Sequence, residues 1–205
     1  EEKKKEILSI TEKFDVKKIN NNYKNYLLKL AFDGTLTNEK SEAIDGVVVP
    51  RGWEVTKLGS IGNYKYGYNG KAGTNKNGKP YLRITDINED GTLKPERVYV
   101  DISNNDFQKY NLQNNDIVIA RTGATVGKSF LFSGDSEFVF ASYLIRFRFD
   151  LQKTIPKFLL YVLRSPQYWE FIGINQSASA QPNVNATKMS NFEFPLPPIE
   201  TQKKI

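Results

Sequence analysis

Residues 122–129, Thr122-Gly123-Ala124-Thr125-Val126-Gly127-Lys128-Ser129, come nearest in this 205-residue chain to a phosphate cradle. In such a cradle, glycines and a lysine present backbone N–H groups and an ammonium to an anion at the start of a helix. The spacing departs from that pattern, because Thr122 stands where the first glycine belongs and only three residues separate Gly123 from Gly127. The next residues, Phe130-Leu131-Phe132-Ser133-Gly134, have the character of a strand, so no helix dipole is expected behind the turn. The simpler reading is a strand, a tight glycine turn and a second strand. That geometry brings Arg121, Thr122 and Lys128 close together, where they can contact a phosphate backbone. A nucleotide-binding enzyme built on this segment is the competing reading from another class.

The other reactive residue types narrow the chemistry further. The chain has no histidine and no cysteine, which excludes a structural zinc site, a Cys or His nucleophile, an imidazole base and a disulfide framework. Asp86, Glu89 and Asp90 cluster after a strand, but Asn88 and Gly91 make the segment a β-turn. With no second acidic motif, a two-metal nuclease is unsupported. A methyltransferase would need a cofactor cradle and a motif such as Asn-Pro-Pro-Tyr, and the sequence contains neither. Binding is favoured over catalysis.

Charge points to the class of ligand. The formal net charge is +6, and residues 55–85 hold six basic side chains and no acidic one, so this stretch carries the whole excess. A second acid-free stretch, 171–192, is rich in Asn, Gln and Ser and stays uncharged from Asn175 until Lys188. Basic and amide-rich segments of this kind suit a polyanion whose edges offer donors and acceptors, as duplex DNA does.

These groups need elements to position them. Residues 1–32 lack Gly and Pro and place Ile7, Ile10, Phe14, Ile19, Tyr23, Tyr26, Leu27 and Leu30 mostly three to five apart. That spacing predicts one long amphipathic helix whose narrow stripe wants a partner helix, ending at Gly34. From Trp53 the pattern changes to short strands over 53–58, 81–87, 97–100, 117–121, 129–132 and 138–149, punctuated by glycines. Tyr64, Tyr66 and Tyr68 alternate at period two, which puts three phenols on one face of an extended segment. Two helices come next, one near Thr154 and one capped by Ser165 with Pro166 at its first position. Phe158, Leu159, Val162, Leu163, Tyr168, Trp169 and Phe171 are expected in the core. Pro197 and Pro198 open another helix, and 200–205 align weakly with 2–7, which suggests a repeating helix-plus-sheet unit. Hydrophobic content of 39% and 13% aromatic residues argue for a packed protein. The fold class expected is α+β, an irregular and mostly antiparallel sheet domain with a few helices plus one long coiled-coil-forming helix. No signal peptide or membrane span is visible, so a cytoplasmic setting is expected. The chain begins at Glu1 without Met, as a fragment or processed form would.

The order of these pieces resembles the specificity subunit of type I restriction-modification enzymes. The resemblance rests on Ala31-Phe32-Asp33-Gly34-Thr35-Leu36-Thr37, then on Val49-Pro50-Arg51-Gly52-Trp53-Glu54-Val55-Thr56-Lys57-Leu58-Gly59. It continues through Tyr81-Leu82-Arg83-Ile84-Thr85-Asp86-Ile87, residues 116–128, Gln181-Pro182-Asn183-Val184 and the closing 195–205, nearly the whole chain in the family's order. It implies a non-catalytic DNA-reading subunit in which two target-recognition domains are joined by long conserved helices that pair antiparallel and act as a ruler. Residues 1–37 would be the conserved spacer and dimerisation helix, 38–47 a linker, 48–195 the recognition domain and 196–205 the start of a second conserved helix. Modification subunits, which methylate adenine, and a restriction subunit would dock on this frame. S-adenosylmethionine, ATP and Mg would belong to those partners and no cofactor to this chain. A helix of ~30 residues spans roughly 45 Å, about thirteen base pairs at ~3.4 Å each. One recognition domain is present, so the chain is expected to be a fragment of a full-length subunit or a half-subunit that dimerises. A coiled-coil adaptor for partner proteins is the remaining alternative.

Recognition loops vary within such a family, so contacts are assigned from the acid-free stretches. Lys65, Lys71, Lys76, Lys79, Lys128 and Lys188 are expected on phosphates. Arg83, Arg121, Thr122, Asn75, Asn77, Gln176, Ser177, Ser179, Gln181, Asn183 and Asn185 are expected at base edges or in close backbone contact. Gln181-Pro182-Asn183 has a competing role, that of shaping the return to the helix.

Overall fold

The fold was obtained as a computed structural model, and the structure describes residues 16–44, 47–88, 92–134, 137–178 and 181–205. The chain divides into two compact units, 1–51 and 52–205.

In the first unit, helix α1 runs Val16–Phe32. It stops where Gly34 takes a left-handed φ of +78°, and a Cβ there would lie 2.5 Å from the Pro50 ring. Leu28, Ala31 and Phe32 are its buried side chains, while Tyr23 and Tyr26 are 63% and 57% exposed. Both tyrosines belong to the stripe expected to take a partner helix. The Ile7, Ile10 and Phe14 part of the expected helix lies outside the described residues, and a helix of 17 residues is what the structure shows. A hairpin comes next, β1 Ser41–Ile44 antiparallel to β2 Val47–Pro50. Strand structure thus occupies part of the segment expected as a linker. Exposed Ser41-Glu42-Ala43 carries no alternating apolar pattern that would reveal it.

The second unit is built on a four-stranded antiparallel sheet. In spatial order its strands are β4 Gly62–Tyr66, β10 Leu144–Phe149, β7 Ile117–Ala120 and β8 Ser129–Leu131. Every residue of β7 is buried, as a continuous apolar run requires when both faces of a strand are covered. On one face Val118, Ala120, Phe130 and Leu144 join Leu82, Phe132 and Phe140. Register puts Ile119, Ile145 and Phe147 on the other, where Tyr64 stacks on Phe147 at 4.6 Å. Helices α3 Pro156–Val162 and α4 Pro166–Asn175 cover that face. The Ser129 hydroxyl donates to the Leu163 carbonyl, and the Tyr168 hydroxyl to the Gly127 carbonyl at 2.9 Å. Ser165 caps α4 as expected, accepting from the Tyr168 N–H. Trp169, expected in the core, is 43% exposed.

Of the two arginines within β10, Arg148 is paired with an acid, whereas the buried Arg146 leaves its Nε without a hydrogen-bond partner among the described residues. Arg148 donates twice at 2.7 Å to Asp116, which is 1% exposed. Arg146 is buried, its Nη1 donates to the Asn111 carbonyl, and desolvation lowers its pKa.

A second sheet orders β6 Tyr99–Val100, β5 Lys79–Leu82 and β9 Val139–Phe140, with β5 and β9 parallel. Residues 138–149, expected as one strand, are broken into β9 and β10 by the 141–143 turn, in which the Leu144 N–H returns to the Ala141 carbonyl. The strand expected over 81–87 ends at Leu82. There Asp86 folds back to accept from the Arg83 N–H and closes a 3-10 turn over Ile84–Asp86. Helix α2 Asn104–Tyr110 flanks the second sheet, and α5 Ala186–Ser190 leads into β11 Glu193–Leu196, which pairs with β3 Glu54–Lys57. Helix α6, Ile199–Gln202, begins after Pro198 as expected. No helix among the described residues is long and apolar enough to cross a membrane.

Candidate nucleic-acid interface

The antiparallel register gathers several distant segments at one end of the four-stranded sheet. Tyr66 at the end of β4 pairs with Ile145, Ala120 at the end of β7 pairs with Leu144, and β8 begins opposite Ile119. The turns at 67–68, 121–128 and 141–143 therefore project from the same edge. Gly67 is required there, because a Cβ would fall 2.0 Å from the Ala141 carbonyl oxygen. A short 3-10 turn, Gly123–Thr125, connects β7 to β8, so the strand, turn and strand expected for 122–129 are what forms. No helix comes after it to hold a nucleotide phosphate.

Arg121 sits at the centre of this edge. Its guanidinium lies 4.9 Å from the Tyr66 ring centroid and its Nε donates to the Ser142 carbonyl at 3.2 Å. Stacking holds a planar fork in one orientation without consuming its outer N–H groups. The amide-rich segment is joined to the same turn through backbone. Thr122 bridges Asn183 antiparallel, the Gly123 N–H donates to the Pro182 carbonyl at 2.9 Å, and the Val184 N–H donates to the Arg121 carbonyl at 3.0 Å. Ser177 and Asn183 exchange two hydrogen bonds, Asn183 N–H to Ser177 Oγ and Ser177 N–H to the Asn183 carbonyl. The Tyr66 hydroxyl accepts from the Ala186 N–H, Asn185 caps α5, and Lys188 donates to the Asn175 carbonyl at 2.8 Å. Arg121, Thr122, Gln176, Ser177, Gln181, Asn183, Asn185 and Lys188 are thus brought together. Asn185 and Ser177 spend side-chain acceptors on this scaffold. The side chains of Thr122, Asn183 and Gln176 make no hydrogen bond with a described residue. Ser179 lies outside the described residues.

The remaining predicted residues are placed differently. Arg83 is near the same edge, next to Leu82, whose carbonyl accepts from Ala141, but its fork is held by Asp86 at 2.7 and 3.1 Å. That carboxylate raises its pKa further. Lys128 faces the opposite side of the sheet from Arg121, with its Nζ 3.5 Å from the Ile87 carbonyl. The expected cluster of Arg121, Thr122 and Lys128 therefore keeps only its first two members, because neighbouring residues on a strand alternate faces. Lys65 stands over the Tyr110 ring at 5.2 Å on that same opposite face. Lys71 is exposed between the two regions. Asn75, Lys76, Asn77 and Lys79 lie at the far end of β5, where Asn75 donates to Asp101 and Lys79 pairs with Glu137. Half of the basic stretch is thus neutralised by acids from outside it, since Lys57 also meets Glu193 at 3.6 Å. Sequence reasoning placed Tyr66 on a face without giving it a contact, and it missed Tyr143, which is 59% exposed beside Arg121. The tyrosine alternation signals the first. No pattern signals the second.

Residues 50–205 match the model of the type I restriction modification DNA specificity domain. The chain belongs to this family. Among the specificity subunits it is similar to, the protein assigned to the type I restriction enzyme MjaX of Methanocaldococcus jannaschii is 32% identical over 163 residues. That match covers 77% of this chain and 38% of the relative. The StySPI specificity subunit of Salmonella potsdam is 27% identical over 190 residues, covering 89% and 40%. The chain thus spans about two fifths of the length of these relatives. The crystal structure of the HsdS subunit from Thermoanaerobacter tengcongensis shares the fold with a TM-score of 0.60 at 18% identity, over 97% of this chain and 46% of that one. A chain from a study of complex assembly in a type I restriction-modification system gives 0.62 at 19%, over 97% and 47%. The specificity-domain match ends at Ile205 and includes the whole Arg121 edge and α6.

Proposed function

We propose that this chain reads one half of a bipartite duplex-DNA target as part of a type I specificity subunit, without catalysis of its own. The observation that carries the reading is the backbone bridge between Thr122 and Asn183, which brings an uncharged amide-rich segment onto the same edge as a stacked arginine. Amides and an oriented guanidinium are the groups that discriminate base edges, while Lys188 and Lys71 suit phosphates. Methylation and restriction would then be directed through partner subunits, which would carry S-adenosylmethionine, ATP and Mg. Pairing of α1 with a second conserved helix, within a longer subunit or between two copies, would set the distance between half-sites.

The test is binding by the assembled full-length subunit to duplexes that carry or lack one half-site. Affinity should fall steeply with salt, and preference for one half-site should survive at each salt concentration. Equal and weak binding to every duplex would sink the reading. Calorimetry with Mg-ATP addresses the nucleotide-enzyme alternative, for which a Lys128-dependent heat would be required.

A further inference from the structure

The first turn of α6 is fastened to the domain by one side chain. Gln202 is 3% exposed, and its amide makes three hydrogen bonds. Oε1 accepts from the Ile155 N–H at 2.8 Å, while Nε2 donates to the Lys153 carbonyl at 2.9 Å and to the Pro197 carbonyl at 2.8 Å. Both amide hydrogens are used. Lys153 and Ile155 belong to the connection between β10 and α3, far from α6 in sequence, whereas Pro197 lies where β11 gives way to α6. The amide therefore ties three segments at one point. Pro197 and Pro198 stiffen the approach, Thr201 is buried beside the clamp, and Glu200 and Lys203 pair with each other on the exposed side.

We propose that Gln202 is a positioning residue that fixes the direction in which the C-terminal helix leaves the recognition domain, and through it the spacing between half-sites that the complex accepts. This rests on the half-site function proposed for the domain and on 196–205 as the start of a ruler helix. A helix is a lever: over ~30 residues, roughly 45 Å, a tilt of about 10° at the base moves the far end by roughly 8 Å. That displacement exceeds two base pairs at ~3.4 Å each. Ruler length alone cannot select a spacing unless the base of the ruler is held. A side-chain amide with every partner fixed in direction holds an angle better than apolar contacts, which tolerate sliding.

The experiment uses the full-length subunit assembled with its modification subunits, and measures methylation across duplexes whose half-site spacers differ one base pair at a time. The native complex should show a narrow optimum. Gln202→Met keeps the bulk and removes all three bonds, and should reduce the preference for the optimum over adjacent spacings by roughly tenfold, the discrimination carried by about 1.4 kcal/mol. Half-site sequence preference should stay unchanged. Glu200→Gln, on the exposed side of the same turn, should leave the profile intact. Ile155→Pro deletes a single donor at a residue whose φ of −78° suits proline, and should give an intermediate broadening. It carries the test should Gln202→Met fail to fold. Equal loss of methylation at all spacings, tracking the loss of folded protein, would reduce Gln202 to a stabilising residue and overturn the proposal. An unchanged spacing profile in folded Ile155→Pro and Gln202→Met complexes would overturn it as well. A native complex indifferent to both half-sites would instead defeat the recognition reading itself.

Discussion

At the scale of single residues, two arginines of the same edge have opposite fates. Arg121 is stacked and keeps outer N–H groups available, so Arg121→Ala should weaken the cognate duplex by about 1–3 kcal/mol and relax preference at one position, measured by fluorescence anisotropy. Arg83 is held by Asp86, a carboxylate only 8% exposed. Arg83→Ala should therefore lower stability by about 1–2 kcal/mol in a urea melt, the cost of a lost charged hydrogen bond, with base preference retained. Burial pushes the Tyr64 and Tyr168 phenols well above the ordinary value. Folded protein then holds two protons that the unfolded chain releases above pH ~10. The stability these phenols contribute is full below that pH and should be lost as pH rises above it, because the unfolded chain ionises there while the fold keeps both protonated. Tyr64→Phe should make that loss shallower in melts between pH 10 and 11. The basic and amide residues were legible in the sequence. Their partners were not, because Asp101, Glu137 and Glu193 are brought to them only by strand pairing across long stretches of chain.

At the scale of elements, the turn between β7 and β8 illustrates what local sequence can specify. Its two glycines both adopt left-handed φ, +76° at Gly123 and +86° at Gly127. They differ in surroundings, since a Cβ at Gly123 meets nothing within 4 Å while one at Gly127 approaches Ile172 and Trp169 at 3.0 Å. Gly123→Ala should cost about 1–2 kcal/mol from backbone strain alone. Gly127→Ala should cost more, and the difference between their urea midpoints reports the crowding against α4. Capping and proline signals placed α3, α4 and α6 correctly, because they act within a few residues. The break between β9 and β10 was hidden, since Ala141-Ser142-Tyr143 contains neither Gly nor Pro. The β1–β2 hairpin had one overlooked signal, the Asp45-Gly46 dipeptide.

At the scale of the whole molecule, the basic stretch behind the formal charge of +6 lies largely away from the edge proposed to read DNA. Asn75 and Lys79 stand beside Asp101 and Glu137 at the far end of β5, while the Arg121 edge gains its character from uncharged amides. Lys188→Ala should reduce the salt slope of binding by about one unit for every duplex sequence. Lys76→Ala should leave the slope nearly unchanged in the same titration. The fold class and family were readable from motif order because those motifs form the scaffold. The grouping of polar residues at the Arg121 edge was only partly readable because the scaffold decides which polar segments meet. The seam joining 121–123 to 182–184 is made of main-chain groups. Peptide N–H and C=O groups are common to every residue except for proline's missing donor, so substitutions at Thr122, Gln181 or Asn183 leave the seam's bonding pattern available. On the proposed reading, a change of target sequence would then require exchanging a few side chains and would leave the fold's own bonding in place.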